Sequence, residues 1–230
     1  MNHNLKKLHG YTLAASDGDI GYVKDFLFDD HSWGVRYLVV DTGSWLTGRL
    51  LLISPHAVGS IDDDEKSITV RLSKNQIEMS PSIDSAKPVT RQFETDYYTY
   101  YGYPPYWSGG GLWGMGGTPA LVPAPEQFED RMDFVHPNDA DLRSAKAVTD
   151  FHIEALDGPL GHVADFMVDD RSWAINEIIV EAGHWYSGKE VLISPQEVDR
   201  INYEESKVFV RVSKEDIRKT AEHGVVHAGA

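Results

Sequence analysis

The sequence predicts a mostly β protein: two small antiparallel β-barrels, each followed by a short helix, joined by a long irregular linker. Three observations lead there. One stretch occurs twice, from Asp17 to Ile77 and from Asp157 to Ile217. The copies align without a gap over about 60 residues, with roughly 40% of positions identical. Each copy breaks into five or six short apolar runs, with turn residues every ~8–12 positions. The segment between the copies is rich in Tyr, Gly and Pro and has no regular period.

The 230-residue chain is long enough for one large domain or two small ones, and the repeat decides for two. The expected division is a first barrel over 1–80, a linker over 81–138, a second barrel over 139–220 and a disordered tail over 221–230. A unit of about 80 residues buries only a small core. The chain has no cysteine, which excludes disulfides and thiolate chemistry. No apolar run approaches the ~18 residues of a membrane span. The start, MNHNLKKLHGYTL, lacks the apolar core of a secretory leader, so the expected compartment is the cytoplasm. The net charge of −15 argues against non-specific binding to nucleic acid or to an anionic membrane.

The elements follow in order. Tyr11, Leu13 and Ala15 alternate with polar residues, as Phe151, Ile153 and Ala155 do in the second copy, so both stretches are strands. Asp17-Gly18 and Asp157-Gly158 form turns. In Ile20–Phe28 the alternation slips by one, which predicts a bulge near Gly21 or Val23 and, equivalently, near Gly161 or Val163. Asp29 to Gly34 is a polar connection rich in turn formers. Val35–Val40 and Ile175–Val180 are β-branched strands buried on at least one face. Gly43–Gly48 and Gly183–Gly188 are loops holding Trp45 and Trp185. Leu50–Ile53 and Val191–Ile193 are strands that stop at Ser-Pro, because proline has no N–H for the ladder. Val58–Ile61 is read as a short strand. The charged runs starting at Asp62 and Asn202 are turns, followed by strands Ser67–Leu72 and Lys207–Val212. Ser73 and Ser213 are N-caps of short helices, Lys74–Met79 and Lys214–Thr220. Closing each sheet into a barrel would remove its exposed edges.

The pattern D-G-x-x-G-x-V-x-D-F-x-x-D-D-x-S-W, followed by G-x-W-x-x-G-(K/R)-x-x-L-I-S-P, resembles the PRC-barrel family. The same barrel is found in the photosynthetic reaction centre H subunit and in the ribosome-maturation factor. The chain resembles bacterial proteins with two such barrels in tandem, also through Leu142-Arg143-Ser144 and Phe151 to Ala155. The resemblance implies a fold and a habit of protein–protein docking, with no catalytic residues to carry over. The chain has neither the H subunit's membrane helix nor the maturation factor's separate N-terminal domain.

The functional expectation is therefore a non-enzymatic interaction or structural module that needs no cofactor or metal. Its partner would be a protein, including a second copy of the chain in a homodimer. The alternatives are a peripheral accessory or assembly factor of a membrane electron-transfer complex, an RNA- or ribosome-associated factor, and small-ligand binding at the aromatic segment. The interface candidates are Trp33, Trp45, Trp173 and Trp185, at matching loops of the two copies, and the aromatics of the middle segment. Those are Tyr97, Tyr98, Tyr100, Tyr101, Tyr103, Tyr106, Trp107 and Trp113. Aromatics bring large apolar area to a contact at low entropic cost, so Tyr97 to Trp113 is read either as part of a flexible tether or as lying on a surface.

Other clusters read as structural. Asp29-Asp30 and Asp169-Asp170 could offer oxygens to a hard cation but fit solvated turns. His152 and Glu154 share one strand face without further ligands. Ser54 and Ser194 lack a neighbouring base. Gly109-Gly110-Gly111 lacks the setting of a phosphate loop. Asp25 and Asp165 recur within a strand and need partners, for which Arg36, Arg71 and Arg211 are candidates by charge.

Overall fold

The structure, a computed structural model, describes residues 1–46, 48–81, 83, 88–114, 118–119, 142–186 and 188–222. In the first repeat, β1 (Asn2–Asn4) and a single helical turn α1 (Leu5–Leu8) lead into β2 (Thr12–Ala15), β3 (Gly18–Asp29) and β4 (Gly34–Asp41). Then come β5 (Leu50–Ile53), β6 (Val58–Asp62), β7 (Ser67–Val70) and α2 (Lys74–Glu78). A further helix, α3 (Arg91–Tyr101), precedes the second repeat. That repeat contains β8 (Leu142–Ser144), α4 (Ala145–Val148), β9 (His152–Ala155), β10 (Gly158–Asp169) and β11 (Ile175–Ala182). It ends with β12 (Glu190–Ile193), β13 (Val198–Asn202), β14 (Lys207–Val210) and α5 (Lys214–Glu222). No helix among the described residues is long and apolar enough to cross a membrane.

Both sheets follow one path, β5-β4-β3-β2-β7-β6 in the first and β12-β11-β10-β9-β14-β13 in the second. Two expectations need correction. The paths are open, with β5 and β6, or β12 and β13, at the two ends, so neither sheet closes into a barrel by hydrogen bonds. The cause is local: β5 stops at Pro55, and a 3-10 turn over Pro55–Ala57 leads the chain away into β6. Nor is the pairing wholly antiparallel. β7 runs parallel to β2, and β14 to β9, because each joins that edge only after its own hairpin with β6 or β13.

The predicted bulge is present in both repeats. Leu13 faces Gly21 and Ala14 faces Asp19, so Ile20 is the extra residue; Leu160 is its counterpart between Gly161 and Pro159. Glycine is required beside it, since a Cβ on Gly21 would collide with the Asp41 carbonyl, and one on Gly161 with that of Glu181. Ile20 and Leu160 are fully buried in consequence. The recurring Asp17 and Asp157 also gain a reason: their carboxylates accept from the Lys74 and Lys214 backbone N–H at 2.8 and 3.0 Å, at the first turns of α2 and α5. Ser73 and Gln76 add a capping box to α2. Helix α5 reaches Glu222, two residues into the expected tail, and 223–230 lie outside the described residues.

Two compact units result, and their limits differ from the expected ones. The first comprises Met1–Ala145 and Val168–Ala174, and the second Lys146–Met167 and Ile175–Ala230. The first thus takes in two pieces of the second repeat's sequence. β8 pairs with the end of β3, Leu27 opposite Ser144 and Asp29 opposite Leu142. The hairpin tip at 168–174 supplies the Trp173 carbonyl to Val35 N–H at 2.8 Å, and buries the Trp173 ring beside Phe26. The first core gathers Leu5, Leu8, Leu13, Phe26, Phe28 and Leu38. The second core holds Ile153, Leu160, Val163, Phe166, Ile178 and Val208.

An aromatic segment on the first unit as candidate functional site

The segment after α2 carries regular structure where an irregular linker was expected. Thr90 caps α3 by accepting from the Phe93 N–H at 3.2 Å, and Gly102 ends it in a left-handed conformation at φ 66°. Glu94, Tyr97, Tyr98 and Tyr101 are spaced three and four apart and so share one face. The first three of them are buried. This face lies on the first unit's own sheet: Tyr97 Oη accepts from the Ser54 N–H at 3.0 Å, and the Tyr37 ring meets Tyr97 edge-on at 5.4 Å. The expected linker's residues 120–138 lie outside the described ones.

Glu94 sits at the centre, with no exposed surface. Its carboxylate accepts from Arg91 at 2.6 Å, the Tyr106 hydroxyl at 2.8 Å and the Tyr37 hydroxyl at 3.1 Å. Burial raises its pKa, opposed by Arg91 and by the two tyrosine hydrogen bonds. Such a charge persists in a core only with partners of this kind. Burial likewise pushes the Tyr37 and Tyr97 hydroxyls well up, so both stay protonated.

Arg36 is the second buried ion, 1% exposed. It donates to the Leu112 carbonyl at 2.5 Å, to Ser32 Oγ at 2.7 Å and to Asp29 at 3.1 Å. Its guanidinium lies over the Tyr106 ring, 3.9 Å from the centroid, and faces Trp113 at 5.0 Å. Trp113 is fully buried, and its Nε1–H donates to the Ser172 carbonyl at 2.6 Å. His56, 2% exposed, packs between the Tyr103 face and the Trp113 edge, each 4.9 Å away. Its Nδ1 bonds the Pro119 carbonyl at 2.7 Å, so Nδ1 carries the proton. Burial lowers its pKa to about 4, the Pro119 bond opposing and the Arg36 and Arg71 charges adding.

A cleft of about 500 Å³ opens at the segment's edge. His56, Arg71, Gln76 of α2, and Tyr100, Tyr101 and Tyr103 line it. Tyr101 and Tyr103 stack at 5.4 Å and 12°, and Tyr103 stacks in turn on His56.

The interface candidates divide by burial. Tyr97, Tyr98, Tyr106, Trp113 and Trp173 are sealed inside the first unit. Trp33, Tyr101, Tyr103 and Trp107 are half-buried, and Tyr100 is exposed. Trp45 and Trp185 are half-buried at matching loops: Lys74 Nζ stands 5.2 Å from the Trp45 ring centroid, and Trp185 Nε1–H donates to the Leu160 carbonyl. Trp33 and Trp173 both occupy left-handed turn positions, φ 57° and 56°.

The other candidates have structural duties. Asp29, Asp30 and His31 bring ligand-type atoms within 4.8 Å of one another. Arg36, however, binds Asp29, and Arg143 binds Asp30 at 3.1 Å. Burial works to raise the Asp29 pKa, but the Ser32 and Arg36 contacts prevail and lower it. Ser54 and Ser194 use their hydroxyls to cap the 3-10 turns, accepting from His56 N–H and Gln196 N–H. The arginines proposed for Asp25 and Asp165 bind elsewhere: Arg71 and Arg211 clamp the carbonyls of His56 and Gln196 at 2.8 and 2.6 Å. Asp25 instead accepts from Ser144 Oγ and its neighbour's N–H.

Glu94, Arg91, Arg36 and His56 escaped the sequence reading as a group. The repeat held the signal. Arg36, Tyr37 and His56 face the segment, and the second copy has Asn176, Glu177 and Gln196 there. β4 is buried on both faces, whereas Asn176 and Gln196 are exposed. The two copies therefore diverge where only one is covered.

The family model described as PRC-barrel domain matches residues 4–77 and 157–217, more than half of the chain. No curated protein matches the chain.

Proposed function

We propose that this chain, which belongs to the PRC-barrel domain family, works as a non-enzymatic docking module. One observation carries the reading: each unit presents a tryptophan, Trp45 or Trp185, at the same loop and half-exposed. Each is held by its own unit, through Lys74 above the first ring and the Leu160 carbonyl on the second indole N–H. A ring fixed in this way loses little freedom on contact, and Trp is enriched where interfaces are energetically central. In the aromatic segment the Glu94 carboxylate is held by Arg91, Tyr106 and Tyr37, which fits a sealing role for it.

The first partner to test is a second copy of the chain. Molar mass by light scattering should show a concentration-dependent dimer that the Trp45→Ala/Trp185→Ala double variant loses, with its circular dichroism unchanged. A monomer at every concentration for both proteins would remove the homodimer. If the double variant also matched the parent in stability and in binding to any protein partner, the docking role of these loops would be lost.

A further inference from the structure

The cleft beside the aromatic segment has a composition that the docking reading does not use. Arg71 is exposed at its mouth, and its hydrogen bond is to the backbone carbonyl of His56 at 2.8 Å. No carboxylate among the described residues lies within 4 Å of it. Tyr101, Tyr103 and His56, stacked in a row, also line the cleft. His56 stays neutral above acidic pH, so Arg71 is the charged group among the described residues that line the cleft.

We infer that this cleft binds a small planar monocarboxylate, an aromatic acid. The carboxylate pairs with the free edge of Arg71, and the ring packs against the Tyr101 and Tyr103 side chains. A guanidinium fork matches a carboxylate with two parallel hydrogen bonds. One cation balances one negative charge, whereas a phosphate dianion calls for more donors than this cleft supplies. A volume of about 500 Å³ suits a molecule of one or two rings. The second unit provides an internal control. Arg211 makes the same clamp, to the Gln196 carbonyl at 2.6 Å, with Gln196 exposed where the first unit has buried His56.

The test uses the full chain with benzoate as probe, followed by saturation-transfer NMR and calorimetry. Benzoate should bind, and benzamide, cyclohexanecarboxylate and inorganic phosphate should each bind about tenfold more weakly or worse. Arg71→Gln should weaken benzoate by about tenfold, while Arg211→Gln leaves it unchanged. Arg71→Gln also loses a backbone clamp, so Arg211→Gln measures the stability cost of that loss. Arg71→Lys keeps the charge, lacks the fork and should bind at an intermediate level. Failure of benzoate to bind overturns the inference, as does equal binding by Arg71→Gln. Phosphate binding as tightly as benzoate would show an unspecific anion patch and overturn it too. These readouts do not depend on molar mass, so they stand or fall apart from the docking module.

Discussion

Trp113→Ala tests whether the aromatic segment is part of the first unit's core or a tether lying against it. Trp113 has no exposed surface, touches His56 and Arg36, and donates a hydrogen bond to the Ser172 carbonyl. A buried indole removes roughly 200 Å² from water, which at about 25 cal/mol per Å² is ~5 kcal/mol. Truncation leaves a cavity and an unbonded carbonyl, while local collapse returns part of the loss. The expected cost is about 3–5 kcal/mol. Urea denaturation should follow the two units through separate probes. With a slope of about 2 kcal/mol per M for a unit of this size, the first unit's midpoint should fall by roughly 2 M. The second unit's midpoint should stay in place. Tyr100→Ala is the control, since Tyr100 is 42% exposed and should cost well under that amount. A Trp113→Ala shift no larger than the Tyr100→Ala shift would refute the packed segment and restore the tether.

Three further outcomes follow from the same geometry. Glu94→Ala strands Arg91, Tyr37 and Tyr106 and should cost about 3–5 kcal/mol in denaturation, with Glu94→Gln costing less because it keeps an acceptor. The folded pKa of Glu94 lies above its ordinary 4.5, so ionisation opposes folding; parent stability relative to Glu94→Gln should fall as pH rises from 4.5 through the folded value. His56 has the opposite sign of dependence: its pKa drops from 6.5 to about 4, so its contribution is full above 6.5 and lost as pH falls toward 4. About 3 kcal/mol of acid sensitivity is at stake, and His56→Gln, which installs the second repeat's residue, should flatten thermal melts over that range. Gly21→Ala and Gly161→Ala each push a methyl into a carbonyl across the bulge and should each cost at least 1–3 kcal/mol by urea titration, roughly equally in the two units.

The bulge at Gly21 and Gly161, the proline stops, the serine-capped helices and the succession of short strands were all legible in the sequence. They depend on neighbours within a few residues: a glycine that admits a close carbonyl, a proline without N–H, a hydroxyl that reaches an N–H three positions on. The parallel pairing of β2 with β7 was not legible, because it joins strands about 55 residues apart whose own patterns do not encode direction. The open ends of each sheet were hidden for the same reason.

The amino-acid order by itself determined the duplication, the β-rich class and the short elements, since these rest on period and on local backbone chemistry. Only the tertiary structure decided that Trp173 belongs to the first unit's core while its twin Trp33 is half-buried, and that Glu94 is a core residue. A tyrosine- and glycine-rich stretch carries no binary pattern strong enough to declare its face. Its burial comes from a sheet that offers Arg36, Tyr37 and His56 to it, and that match exists only once distant strands have come together.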